Sequence, residues 1–489
     1  MKSINFIEED NQPIQYFKNR GLGASIRDTK DILDNLIKKG IVKRDKKSNE
    51  ETEEIIDDED LIDINENNIV YKFVYVGIIE FNEYVIRCYP KFIRDTNLQP
   101  SDLRLILQAI EHYKASYRNL DTSVESSLES SPNQLGLALL LLRDYFNYGI
   151  YTNQYEELTL LGQGEIDWDT TINTTFPVIQ DNRPYYFDYF TREIQQNDTD
   201  YISRLHACII TECSRRLQEC EMDEILQLET PTPYQGERID FGTDDYICQR
   251  LYKELNVQFV SQKQSLLRNL LAWVENVKMS AESPDIQLFG TSSFHVLWEK
   301  MCAFVFESQY PDAKLYSLGI TLADSFREKC NDTIKSLIPH PKWQAAGNED
   351  DNSQTLKPDY VSVVKANSIN FFVILDAKYY NIALKEGKFV DKPGVEDINK
   401  QYLYQLAYKD FINAHILYSI NAFISPTNED RSYIFGTVQM PIFDELGLSD
   451  IKVLKIDAKK VMTHYINGTP LSLPEEFPDL FMVDPVYEI

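Results

Sequence analysis

Phe371, Phe372, Val373, Ile374 and Leu375 run without interruption into Asp376, Ala377 and Lys378, and this limits what the 489-residue chain can fold into more than any other stretch. An apolar run so short and so rich in branched and aromatic side chains reads as a central strand rather than a buried helix. Strand side chains alternate in direction, so Asp376 and Lys378 project from one face and Ala377 from the other. An acid and a base at the end of a buried strand cost desolvation unless they pair with each other or bind something. A structural ion pair is the simpler of these outcomes.

Asp359 weighs against that simpler outcome. It follows Lys357 and Pro358, opens the preceding strand, and lies 17 residues before Asp376. That interval allows a strand, a turn and an antiparallel return, which would set the two carboxylates side by side. They would repel each other unless a cation joined them. Mg²⁺ takes hard oxygen ligands and keeps several waters, so two carboxylates plus a substrate phosphate suffice, and Mn²⁺ fits the same donor set. Lys378 could then orient a water held by the metal and offset charge on a pentacovalent phosphate.

Two helices add candidates. Ser292 to Glu307 is apolar on nearly all sides, yet it contains Glu299, which needs a partner: either the metal site or His295, one turn earlier. In the helix Ile398 to Asn413, Gln401 and Gln405 share a face. Gln405 facing the site could hydrogen-bond the attacking water or a phosphate, and Gln401 could touch substrate; solvent exposure is the alternative for both.

The length implies several cores. Residues 1–131 read as a mixed α/β region that contacts a partner. Within it, residues 50–66 carry ten acidic side chains and no basic one, a solvated loop by composition. Val70 to Ile79 and Tyr84 to Arg87 read as a hairpin, followed by a helix at Leu103 to Tyr113. Residues 132–285 are helix-rich, with helices at Leu135 to Tyr148, Tyr201 to Gln218 and Ser265 to Val277. An extended aromatic segment, Leu161 to Tyr189, interrupts them; aromatics beside Arg183 can stack on bases, but burial is the expectation. Residues 286–489 interleave strands and helices as an α/β domain.

The net charge of −28 argues against a chain that coats nucleic acid unaided, since phosphate binding runs on Lys and Arg. Neither a signal peptide nor an apolar run long enough to span a bilayer is seen, so a cytoplasmic location without membrane contact is expected. Seven cysteines without a CxxC pair suggest reduced thiols. His206, Cys208, Cys213 and Cys220 raise zinc, but one helix closes a tetrahedral cage poorly.

Glu299, Pro358 with Asp359, Asp376 to Lys378 and the helix holding Tyr404, Gln405 and Tyr408 occur in the order of the PD-(D/E)XK nuclease core. More narrowly, Asp376 to Tyr379 and Tyr404 to Tyr408 resemble the "DAKY" and "YQ…AY" motifs of McrC-like and LlaJI-type restriction subunits. Gly77 and Ile78 before Pro90 and Lys91 look like the family's "G-I … PK" hairpin, and Gly162 to Thr170 is similar to its glycine-containing segment. The resemblance implies a multidomain α/β protein with a restriction-endonuclease-like core, cleaving double-stranded DNA with Mg²⁺ (or Mn²⁺). Asp359, Asp376 and Glu299 would be its metal ligands, with Lys378 and Gln405 beside them. It also implies an McrB-like AAA+ partner that hydrolyses GTP or ATP. No GxxxxGK[ST] phosphate loop is present in the chain itself. A free-standing repair or recombination nuclease and a non-catalytic adaptor of the NTPase are the other readings.

Overall fold

The computed structural model describes residues 1–46, 69–93, 98–117, 134–152, 154–196, 200–282, 286–345, 348–351 and 354–482. The acidic stretch 50–66 lies outside them. The fold is multidomain and mixed α/β, and it divides into two compact units. The first comprises Met1–Lys2, Glu80–Val85 and Glu129–Phe289; the second comprises Ser3–Ile79, Ile86–Leu128 and Gly290–Ile489. Most of the N-terminal region therefore clusters with the C-terminal α/β region and not apart from it.

In the first unit the helices Gln134–Tyr148, Tyr201–Glu219, Asp244–Val257 and Ser261–Glu282 pack together. Leu135, Leu142, Ile209, Leu267 and Trp273 are buried there. The aromatic segment adds a small sheet in the order Gln154–Leu160, Phe190–Gln196, Glu165–Ile166, and a hairpin, Val178–Gln180 with Arg183–Tyr185. Gly164 is required here, because a Cβ would sit 2.0 Å from the Arg192 carbonyl oxygen. Asp167 caps the helix Trp168–Thr174 through Oδ1 and pairs through Oδ2 with Arg192 Nε at 3.0 Å. The expected burial of this segment's aromatics does not hold. Phe176 is 95% and Phe187 69% exposed, and Trp168 and Tyr185 are exposed too. A hairpin of three-residue strands offers too little area to cover them.

In the second unit, residues 3–7, 86–89, 76–79 and 290–291 lie on the four strands of one sheet, in that order. Its main sheet is built from later elements, labelled here in chain order: α1 (Phe294–Val305), β1 (Tyr360–Ala366), β2 (Ile369–Ala377), α2 (Val395–Ala414), β3 (Tyr418–Thr427), β4 (Tyr433–Val438), β5 (Ile451–Asp457) and α3 (Ala458–Asn467). The strand order is β1-β2-β3-β5-β4. β1 and β2 are antiparallel, β2–β3 and β3–β5 parallel, and β4 runs antiparallel to β5. Asn367 and Ser368, with φ of 49° and 66°, close the β1–β2 hairpin in the left-handed region that a two-residue turn needs. β2 is buried from Phe371 through Ala377, as a strand covered on both faces must be. α2 lays Tyr404, Tyr408, Phe411 and Ile412 against Val361, Phe372 and Ile374. α1 packs on β2 and α3, and Trp298 Nε1 donates to the Ile424 carbonyl at 3.5 Å.

Candidate active site

Tyr360 pairs with Leu375 across the β1–β2 hairpin, so one step further along the ladder Asp359 stands opposite Asp376. Period-2 alternation on a central strand and a Pro-Asp start to its neighbour are enough to bring about this juxtaposition. Asp359 Oδ2 accepts from the Ala377 N–H at 2.9 Å. Burial, a hydrogen bond with the Asp376 carboxyl and the charges of Asp376 and Glu299 push the Asp359 carboxyl well above the usual range. Two carboxylates in this position share a proton or need a cation. Asp376 is itself buried.

Lys378 continues from the end of β2, and its N–H donates to the Ile424 carbonyl at 2.9 Å, extending the β2–β3 ladder. Its Nζ lies 2.9 Å from Asp376 Oδ2 and 2.8 Å from Asp397 Oδ1. Burial draws the ammonium's pKa down, but Asp376 and Asp397 outweigh it and hold Lys378 above its ordinary value. Lys378 is therefore a cation held between two acids.

Glu299 on α1 is half-buried. Its pKa is raised by burial and by the charge of Asp376, with Lys378 opposing. His295, the alternative partner for Glu299, instead feels Glu9 and Lys91, and burial lowers its pKa. Asp376 and Asp397 pair with Lys378, and Asp359 and Glu299 add their charges near Asp376, an excess of negative charge that suits a hard cation. The abutting pair Asp359 and Asp376 fits as two such donors. The three carboxylates do not close into a coordination set as they stand, since among the described residues no group of three His, Cys, Asp or Glu is arranged to hold a metal.

Gln401 and Gln405 are placed elsewhere. Neither is exposed. Gln401 Nε2 donates to Asn421 Oδ1 at 2.6 Å and to the Ala422 and Ile374 carbonyls at 3.2 and 3.3 Å. Gln405 donates to Ser419 Oγ at 3.1 Å and accepts from Asn421 Nδ2 at 3.1 Å. These amides knit α2 to β2 and β3, and their hydrogen bonds do not run to the carboxylates. Tyr404, on the same helix, stands closer to the acids: its hydroxyl donates to the Lys357 carbonyl at 3.1 Å, just before Asp359.

The residue that sequence reasoning missed is Asp397. The signal was present: Asp397, Gln401 and Gln405 recur every four residues and share a face of α2. An acid in a helix's first turn, however, is what the macrodipole alone favours.

Elsewhere, His206 Nδ1 accepts from the Tyr151 N–H at 3.0 Å, and Cys220 Sγ donates toward Glu80 Oε2 at 3.6 Å. Zinc gains no support among the described residues. A cavity of about 740 Å³ in the first unit is lined by Arg215 and Arg238, but Glu212, Glu237 and Asp244 line it too. Its charge is near balance, and none of Glu299, Asp359, Asp376, Lys378 and Asp397 lines it. No helix among the described residues is long and apolar enough to cross a membrane.

The chain is similar to several known proteins. The family model described as LlaJI restriction endonuclease matches residues 75–317 and 324–462, a span that includes Glu299, Asp359, Asp376, Lys378 and Asp397. The YdjA component of the type II restriction enzyme BsuMI, from Bacillus subtilis (strain 168), is 26% identical over 418 residues, covering 83% of each chain. Among solved structures, a chain of the refined half-complex of Thermococcus gammatolerans McrB AAA+ hexamers with bound McrC is 14% identical, with a TM-score of 0.40, covering 96% of this chain and 99% of that one. A chain of the cryo-EM structure of the Thermococcus gammatolerans McrBC complex is 15% identical, with a TM-score of 0.23, covering 56% and 80%.

Proposed function

The chain belongs to the LlaJI restriction endonuclease family, and from that premise we propose that it is the DNA-cleaving subunit of a restriction system, a Mg²⁺-dependent endonuclease of the PD-(D/E)XK type. The observation that carries this reading is Asp359 opposite Asp376 at the end of the β1–β2 hairpin, with Lys378 bonded to Asp376. The mixed five-stranded sheet with α1 and α2 packed on β2 also supports it.

Asp359 and Asp376 would hold the cation, with Glu299 completing the set on small side-chain movement. Mg²⁺ or Mn²⁺ bound there would supply Lewis-acid stabilisation of charge on the phosphate and a more acidic water. Lys378, donating three hydrogens from a half-buried position, offsets the charge that builds on the phosphate oxygens as the phosphodiester bond breaks. Tyr404 and the Ala377 N–H hold Asp359 and the backbone before it in place.

A partner subunit is part of the proposal. The relative YdjA is itself described as a component of its enzyme, and the net charge of −28 disfavours unaided DNA binding. The exposed apolar side chains Trp168, Ile172, Phe176, Val178, Ile179 and Phe187, close together in sequence in the first unit, are of the kind that marks a protein contact. An McrB-like AAA+ NTPase is the partner proposed for it.

The test is to purify the chain together with an McrB-like AAA+ NTPase and assay double-stranded DNA cleavage with and without GTP, ATP, Mg²⁺ and Mn²⁺. Cleavage that needs both nucleotide and divalent cation supports the reading. Cleavage by the chain alone selects the free-standing nuclease, and NTPase stimulation without cleavage under any of these conditions selects the adaptor.

A further inference from the structure

Lys378 Nζ is shared almost evenly, 2.9 Å from Asp376 and 2.8 Å from Asp397. Asp397 comes from the first turn of α2, which starts at Val395 after Gly394, whereas Asp376 belongs to β2. Its other oxygen, Oδ2, accepts from the Tyr380 hydroxyl at 3.5 Å. Asp397 is thus anchored by the helix and by a second donor, and it meets the ammonium from an element other than the strand that carries Asp376.

We propose that Asp397 is a positioning residue that draws the Lys378 ammonium partly off Asp376 and so keeps Asp376 open to a divalent cation. This rests on the reading of Asp359 and Asp376 as cation ligands. An ammonium competes with a cation for the same carboxylate lone pairs. A lysine ammonium has three donors and no fixed plane, so it can serve two carboxylates at once. With Asp397 present, Asp376 keeps an oxygen and much of its charge for the cation, and Lys378 is fixed on one side of the site. Without Asp397, the ammonium's charge falls on Asp376 alone, and its free rotation about the lysine stem would let it cover both oxygens.

The inference separates two ways in which an acid can help a cation to bind. If Asp397 acts through Lys378, its effect disappears once the ammonium is gone. If it acts by its own charge, or as a ligand, the effect persists. A double-mutant cycle distinguishes these.

The experiment measures Mn²⁺ affinity of the full chain by the loss of the free-ion EPR signal, with melting temperature as a control for folding. Asp397→Asn keeps the side-chain shape and an oxygen for Tyr380, so the fold is expected to persist. Asp397→Asn should weaken Mn²⁺ binding about tenfold in the otherwise unchanged chain. It should have less than about a twofold effect in a Lys378→Met background, and Asp397→Glu should recover most of the loss. Equal weakening in both backgrounds overturns the inference, as does no weakening in either. Should the unchanged chain bind no Mn²⁺, or bind it as well after Asp376→Ala, the reading of the site itself fails. Should Asp376→Ala abolish binding while Asp397→Asn does nothing, only the role of Asp397 falls.

Discussion

The phenolic hydroxyl of Tyr379 donates a hydrogen bond to the carboxylate of Glu8, 371 residues away in sequence. The same hydroxyl accepts from the Lys91 N–H at 3.2 Å, while Lys91 Nζ pairs with Glu9 at 2.5 Å and lies over the rings of Tyr379 and Tyr380. The strand-end sequence Pro90-Lys91 and the run Asp376 to Tyr379 therefore meet in space. The N-terminal sheet clasps the backbone just beyond Lys378.

A pH dependence follows from that clasp. Burial, with the nearby Glu9 charge adding, pushes Glu8 up to about 7 from an ordinary 4.5, although Tyr379 opposes the shift. Folding therefore takes up a proton on Glu8 between those values. The stabilisation is fully present below about 4.5 and is lost as pH rises through about 7, a change on the order of 3 kcal/mol. Glu8→Gln mimics the protonated state. Its melting temperature should match that of the unchanged chain near pH 5 and exceed it at pH 8; parallel pH profiles for the two proteins would refute the assignment.

Removing a carboxylate from the site should separate activity from stability. Burial and the Asp376 charge both raise the Asp359 pKa, so Asp376→Asn removes a charge that opposes ionisation of its neighbour and opens no cavity. We expect cleavage by the partner-activated protein to fall by about three orders of magnitude or more, with an unchanged or higher melting temperature. Wild-type cleavage by this variant would show that the chemistry resides elsewhere.

How far the sequence reveals this arrangement depends on the range of the interactions. The β1–β2 hairpin is legible because strand periodicity, an interval of 17 residues and a Pro-Asp start are all local signals. The helices at 134–148 and 201–219 are legible from their apolar faces for the same reason. The pairing of Lys91 with Tyr379 is not, since nothing local ties residues 288 apart. Gln401 and Gln405 are less legible, because a polar side chain on a helix reads as exposed or functional. Here Asn421, a polar residue within a strand, gives both amides a buried partner. The aromatic segment misleads in the opposite direction: composition favours burial, but Phe176 and Phe187 are exposed among the described residues.

That exposed segment yields a prediction about the partner. Phe176→Ser combined with Phe187→Ser removes apolar area that contributes little to the fold, so the melting temperature should move by less than about 2 °C. Stimulation of the NTPase should fall at least about tenfold, as for loss of a central aromatic anchor. An unchanged stimulated GTPase or ATPase rate would move the partner contact away from this hairpin.

The polar cluster under α2 supplies the last prediction. Gln401 is 0% exposed, and its Nε2 serves Asn421 Oδ1 and two strand carbonyls. Gln401→Leu fills similar volume but leaves those acceptors without their donor. A buried acceptor stripped of its partner costs about 1–3 kcal/mol, so a loss of roughly 2–5 °C in melting temperature is expected for a unit of this size. Gln405→Leu should behave alike, because it strips Ser419 and Asn421 of a partner. If instead either glutamine contacted DNA or the attacking water, its variant would melt normally and lose activity through KM or kcat at full stability. The two variants therefore distinguish a cluster that holds α2 to the sheet from one that works on the substrate. Intact stability with lost cleavage would return Gln405 to the catalytic set.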